Sequence, residues 1–107
     1  MTLLQNQHCA PVLGRGAMAE AECGPLLTQL SGWSVQDGAL LKRYQFADFH
    51  RTMAFVNAVA ELAHAQDHHP DLTVSYAHCT VRWSTHSVGG LSINDFICAA
   101  QVDAVAI

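Results

Sequence analysis

At 107 residues, half of them apolar and 13% charged, the chain holds one domain with a real core and little room for a second. Its formal net charge is −4 and Lys42-Arg43 is its only adjacent basic pair, so the basic stripe that displaces counterions from nucleic acid is missing and a direct DNA or RNA reader is disfavoured. No apolar run of roughly 18 residues is present to span a bilayer.

Residues 1–18 mix Gln, Asn, Pro, Gly and Arg without a period and end on Gly14-Arg15-Gly16. They read as a flexible N-terminal arm ahead of a single domain over residues 19–107. The first residues carry neither a basic start nor a long apolar stretch, so no secretory signal is expected. Cys9, Cys23, Cys79 and Cys98 lack C-x-x-C spacing and are expected as free thiols in a reducing, cytoplasmic setting.

Residues 19–30 have helical composition interrupted by Gly24-Pro25, and because proline suits a first helical turn, order is expected to begin near Pro25. Trp33-Ser34-Val35 and residues 40–46 predict two strands around Asp37-Gly38, a dipeptide suited to the positive φ of a tight hairpin. Leu40, Tyr44 and Phe46 share one side of the second strand, with Lys42 as the exception. Asp48 is placed to cap a long helix that must stop before Pro70. Phe49, Met53, Val56, Ala60 and Ala63 fall on one stripe of that helix, widened by Phe55, Val59 and Leu62. Residues 72–76 and 79–84 alternate apolar and polar, predicting strands joined near Ala77-His78. Ser92-x-x-Asp95 reads as a capping box opening the last helix, with Ile93, Phe96, Ile97, Ala100, Ala104 and Ile107 inward. The order α-β-β-α-β-β-α, two hairpins separated by a helix, predicts an α+β domain. Its four-stranded antiparallel sheet would carry the three helices on one face.

The chain has seven histidines, and most need no function. His8 and His78 are expected in solvent, His50 lies in a first helical turn, and His64 near a helix C-terminus is favoured by the macrodipole. Asp67-His68-His69-Pro70 differs, because two imidazoles sit where a helix must end and can face different sides of one cavity. An unperturbed pKa of about 6.5 lets such rings give or take a proton near neutrality. Asp67 could orient one ring. His86, after Ser84-Thr85, leaves the last strand opposite Val81 and Trp83 if the alternation continues. Ser92 and Asp95 are explained by capping, although the amides at that helix start could also hold a polar or anionic group.

Taken together, His68-His69-Pro70, then Thr85-His86 sixteen residues after Pro70, then Gly90-Leu91-Ser92-x-x-Asp95, resemble the pterin-4a-carbinolamine dehydratase family. Trp33 before an Asp-Gly hairpin and Phe46-x-Asp48-Phe49 at the long helix agree, and the match runs from about Trp33 to Asp103. The resemblance implies a four-stranded antiparallel sheet with three helices on one face, in dimers or tetramers. It further implies dehydration of 4a-hydroxytetrahydropterin to quinonoid dihydropterin, the step that regenerates cofactor for an aromatic amino-acid hydroxylase. His68, His69 and His86 are its catalytic set, with no metal or organic cofactor. Asp67, Pro70, Thr85, Ser87 and Asp95 are the candidate substrate-binding positions around them.

Two alternatives stand beside it. Animal relatives also act as dimerisation cofactors of a homeodomain transcription factor, and the wide apolar face of the long helix, with Phe55 and Val59, suits such a contact. His64 and His68 are four apart, a spacing that can chelate zinc with a third ligand from His86 or Cys79.

Overall fold

The computed structural model describes residues 3–12 and 16–106. Their elements run α1 (Glu20–Leu27), β1 (Ser34–Gln36), β2 (Ala39–Gln45), α2 (Phe49–Gln66), β3 (Asp71–Val74), β4 (His78–Trp83) and α3 (Ile93–Val105), with 3-10 turns at Leu4–Asn6 and His86–Val88. This is the expected α+β order, with one four-stranded sheet in the order β1-β2-β4-β3 and every pairing antiparallel.

Local chemistry accounts for most of these boundaries. Asp37 and Gly38 both take positive φ, 50° and 73°, as a two-residue hairpin turn requires, and Gln36 pairs with Ala39 across it. The Asp48 carboxylate accepts the Arg51 N–H at 2.8 Å and caps α2. Ser92 and Asp95 close a reciprocal box at α3: Asn94 N–H donates to Ser92 Oγ at 3.3 Å and Ser92 N–H to Asp95 Oδ2 at 2.9 Å.

α1 departs from the sequence expectation, since it starts at Glu20 and keeps Pro25 inside rather than at its first turn. The helix is only two turns long, Glu22 reaches back to the Ala19 N–H at 3.0 Å, and buried Cys23 anchors it. A proline near such an end costs few backbone bonds. β3 ends at Val74 rather than Tyr76, because the turn to β4 occupies Tyr76 and Ala77 and places His78 in the strand.

α2 and α3 pack together and against one face of the sheet through β2 and β4, and Cys23 of α1 joins the same core. The buried positions of α2 are Thr52, Phe55, Val59 and Ala63; Phe49 and Ala60 of the expected stripe are exposed. The stripe is rotated because Thr52 Oγ1 lies 2.9 Å from both Asp48 O and Tyr76 O and points inward, while Phe49 stacks on exposed Tyr76. Lys42, the polar exception in β2, faces the helices because Asp103 of α3 waits there. Asp103 takes Lys42 Nζ at 2.8 Å and the indole N–H of Trp33 at 3.0 Å, together with the Tyr44 hydroxyl.

α3 is buried almost all round, over 94–100 and at Val102, whereas Ala104 is exposed. Ile107 lies outside the described residues. A helix buried on every side needs a second cover, and residues 3–12 supply it. Leu4 is buried, Gln101 Nε2 donates to Gln7 O at 3.0 Å, and Asn94 grips the Ala10 backbone with both ends of its amide, at 3.1 and 2.7 Å. Among the described residues no helix is long and apolar enough to cross a membrane.

Candidate active site

The C-terminus of α2 positions the first site residue. Asp67 turns left-handed at φ 50° and ψ 42°, its N–H returns to His64 O at 3.3 Å, and the His68 N–H returns to Ala63 O at 3.2 Å. This is a Schellman closure with aspartate where glycine is commonest. It ties the His68 backbone to the helix and fixes the direction of its ring. Asp67→Gly is therefore expected to keep or raise stability by up to about 1 kcal/mol. Asp67→Val, β-branched in the same conformation, is expected to lose about 1–2 kcal/mol. Urea unfolding of both variants checks the sign.

The His68 ring lies on the indole of Trp83, 5.4 Å between centroids and 15° from parallel. Its Nε2 is 2.6 Å from Asp95 Oδ1, in a side chain 14% exposed against 0% for Asp95. A fully buried carboxylate persists only if its lone pairs are taken. The other oxygen of Asp95 accepts the Thr85 hydroxyl at 2.8 Å and the Ser92 N–H at 2.9 Å, at the positive end of α3. Thr85 Oγ1 also lies 2.8 Å from Ser92 Oγ. The bond to Asp95 is the main reason the His68 pKa is raised; partial burial opposes it, and the charges of Asp95, Cys9 and Asp67 add to it. With Nε2–H donated to Asp95, Nδ1 is the ring nitrogen left to exchange a proton.

His68 opens into a pocket of about 520 Å³ lined by residues 9–12 and 65–68 with Thr85, Ser87 and Asn94. Of the residues expected from the sequence, Asp67, His68, Thr85 and Ser87 line it and Asp95 anchors it from below. Pro70 is half-buried outside the wall. His69 is exposed with its ring edge-on to His64 at 6.4 Å, and neither ring lines the pocket. Strand alternation carries through buried Thr85 to exposed His86, which opens the 3-10 turn between two residues of the wall without lining it itself. The structure thus joins His68, Thr85 and Asp95 in one hydrogen-bonded group and leaves His69 and His86 at its margin. Left-handed Asp67 ends the helix between His64 and His68, so the helical four-residue spacing expected of a chelating pair is not kept. Among the described residues no three His, Cys, Asp or Glu side chains gather where a metal could sit.

Sequence reasoning missed Trp83, Asn94, Gln66 and Cys9. Trp83 was within reach, since strand parity puts it on the same inward side as Thr85. The other three matter only through the N-terminal segment: Gln66 Oε1 accepts the Cys9 N–H at 2.8 Å.

Comparison with known proteins finds relatives over most of the chain. The sequence profile described as pterin 4 alpha carbinolamine dehydratase matches residues 16–105. A protein of Xanthomonas campestris pv. campestris strain 8004, provisionally named a pterin-4-alpha-carbinolamine dehydratase, is 51% identical over 102 residues, covering 92% of this chain and 86% of its own. A Nitrosospira multiformis protein with the same provisional name is 46% identical over 101 residues, covering 94% and 89%. Among solved structures, a transcriptional coactivator/pterin dehydratase from Brucella melitensis superposes with a TM-score of 0.81 at 30% identity, over 85% of this chain and 99% of that one. A pterin dehydratase-like protein described as a RuBisCO assembly factor of the alpha-carboxysome superposes with a TM-score of 0.62 at 25% identity, over 71% and 90%. With the profile spanning most of the chain and relatives near half identical over almost all of it, this chain belongs to the pterin 4 alpha carbinolamine dehydratase family.

Proposed function

We propose that this chain dehydrates a 4a-hydroxytetrahydropterin to quinonoid dihydropterin by histidine acid–base chemistry, in recycling of a tetrahydropterin such as tetrahydrobiopterin. The observation that carries the reading is His68, held by buried Asp95 at the wall of a pocket and biased toward its protonated form. In the elimination, the C4a–O bond breaks as His68 Nδ1–H gives its proton to the departing oxygen, which leaves as water. The N5 lone pair forms the C4a=N5 bond, and the N5 proton passes to a neutral base. His86, exposed beside the wall residues Thr85 and Ser87, is assigned as that base, and His69 to contact with the pterin or the leaving oxygen; both roles require the rings to turn toward a pocket that they do not line here. Asp67, Thr85 and Ser87 are assigned to substrate contact, with Asp95 as the residue that positions His68. Each proton transfer of this kind contributes about 10²–10⁴ in rate. No metal or organic cofactor enters the scheme, and a cytoplasmic setting shared with an aromatic amino-acid hydroxylase would supply the carbinolamine.

Stopped-flow dehydration of a 4a-hydroxytetrahydropterin at neutral pH tests the reading. Catalysed decay well above the spontaneous rate is expected. Decay at the spontaneous rate, with the chain folded, would overturn it.

A second reading has its own observation. Phe46, Ala54, Phe55, Ala58 and Val105 line a largely apolar depression of about 560 Å³ between α2 and the end of α3, and Phe49 with Tyr76 forms an exposed aromatic stack nearby. Such a surface suits assembly into a homodimer or homotetramer, or a non-catalytic role as a dimerisation or transcriptional cofactor. Light scattering separates the first from a monomer, and partner binding without dehydration would select the second.

A further inference from the structure

The four cysteines are free thiols, yet two of them touch. Cys9, in the N-terminal segment, and Cys98, inside α3, place their sulfurs 3.4 Å apart. That is about 1.4 Å longer than a disulfide bond, a gap that small side-chain rotations can close. Cys98 is fully buried, whereas Cys9 is half-buried and lines the His68 pocket, so a small solute reaches Cys9 and not Cys98. Cys23 and Cys79 are buried elsewhere in the core as free thiols.

The geometry points to Cys9 and Cys98 as a reversible dithiol–disulfide pair that responds to hydroperoxides and staples residues 3–12 to α3 at the wall of the His68 pocket. In the first step the Cys9 thiolate attacks the distal oxygen of the hydroperoxide. The O–O bond breaks, Cys9 becomes a sulfenic acid, and the remaining oxygen leaves as water or an alcohol after taking a proton. In the second step Cys98 sulfur attacks Cys9 sulfur, the S–O bond breaks, and the Cys98 proton departs with the hydroxyl as water. Two thiols lose two electrons and the peroxide gains them. A thiol reductant reverses the change by exchange at the more accessible Cys9 sulfur.

The local electrostatics suit this division of labour. The Cys9 pKa is lowered, chiefly by the hydrogen bond it shares with Cys98 and secondarily by the nearby His68, against the opposing effects of burial and of the Asp95 charge. The Cys98 pKa is raised by the same bond and by burial. A protonated Cys9 has the Asn94 carbonyl oxygen at 3.6 Å as its own acceptor, so the thiolate forms on Cys9 when Cys98 takes over as donor. Asn94 and Gln66 hold the Cys9–Ala10 backbone from both sides, which keeps the two sulfurs facing each other.

The consequence is mechanical. Residues 9–12 form one side of the pocket, and a covalent link from Cys9 to α3 removes their freedom to lift away. The link also closes a loop of most of the chain, for which the unfolded-state entropy lost is large.

Full-length protein, reduced and then treated with hydrogen peroxide, is analysed by non-reducing peptide mass mapping. The expected product is a Cys9–Cys98 cross-linked peptide pair within one chain, reversed by dithiothreitol, with Cys23 and Cys79 still alkylatable. The melting temperature of the oxidised wild type is expected to rise by about 5 °C or more, and that of Cys9→Ser not to move with peroxide. Cys9→Ser changes a half-buried position and is the variant of choice, since a change at Cys98 lies in the core. Unmodified thiols, Cys9 carried to sulfinic acid beside reduced Cys98, or links that join other cysteines or other chains would each overturn the inference.

Discussion

Replacing His68 by alanine is expected to lower the dehydration rate by about 10²–10⁴, toward the spontaneous decay of the carbinolamine. His68 is the histidine that combines a pocket-facing position with a buried carboxylate partner and a raised pKa. The loss would come from proton donation rather than from collapse, because Thr85 and Ser92 still hold the other oxygen of Asp95, and Trp83 stays fixed in the core. Circular dichroism of the variant is expected to match the wild type. His68→Ala that dehydrates at the wild-type rate would remove the ring from the reaction.

Asp95→Ala is expected to cost about 3–5 kcal/mol of stability, the range for breaking a buried, hydrogen-bonded charge pair. The His68 N–H, the Thr85 hydroxyl and the Ser92 N–H all lose an acceptor at once, and the capping box of α3 opens. The effect has a pH signature. A histidine whose folded-state pKa is raised above its unfolded value of about 6.5 stabilises the fold fully below that value, and the increment is lost as pH rises through the folded pKa. Wild-type stability is thus expected to carry a component that falls above pH 6.5, and Asp95→Ala to lack it. Urea unfolding at a series of pH values checks both parts. A loss under 1 kcal/mol, or an unchanged pH dependence, would mean that the 2.6 Å contact between His68 and Asp95 does little in solution.

What was legible in the sequence follows from the range of the interactions. Asp37-Gly38, Asp48 and Ser92-x-x-Asp95 act within a few residues of themselves, so their chemistry names the hairpin, the start of α2 and the start of α3. The two faults in helix faces have long-range causes. Thr52 turns inward to meet Tyr76 O, 24 residues away, and α3 is covered on its second side by residues 3–12, with contacts such as Ala10 to Asn94 that span 84 residues. A periodic pattern carries no record of such neighbours. Asp95 is instructive at the site. Read locally it is a cap, and the cap is real, but the same carboxylate turns its other oxygen to His68 across 27 residues of chain. Capping and positioning share one side chain, so the local explanation hid the distant one. Lys42 is a further case: in the sequence it was only an exception on an apolar strand face, and its reason, Asp103, lies 61 residues away on α3.

The most direct measurement is the pH–rate profile of 4a-hydroxytetrahydropterin dehydration for the wild type and Asp95→Asn, side by side. With His68 as the acid raised by Asp95, the wild-type rate should fall on the alkaline side at a pKa above 6.5, and that limb should move to lower pH in Asp95→Asn. An alkaline limb that stays in place when the carboxylate becomes an amide would contradict proton donation by the Asp95-held histidine.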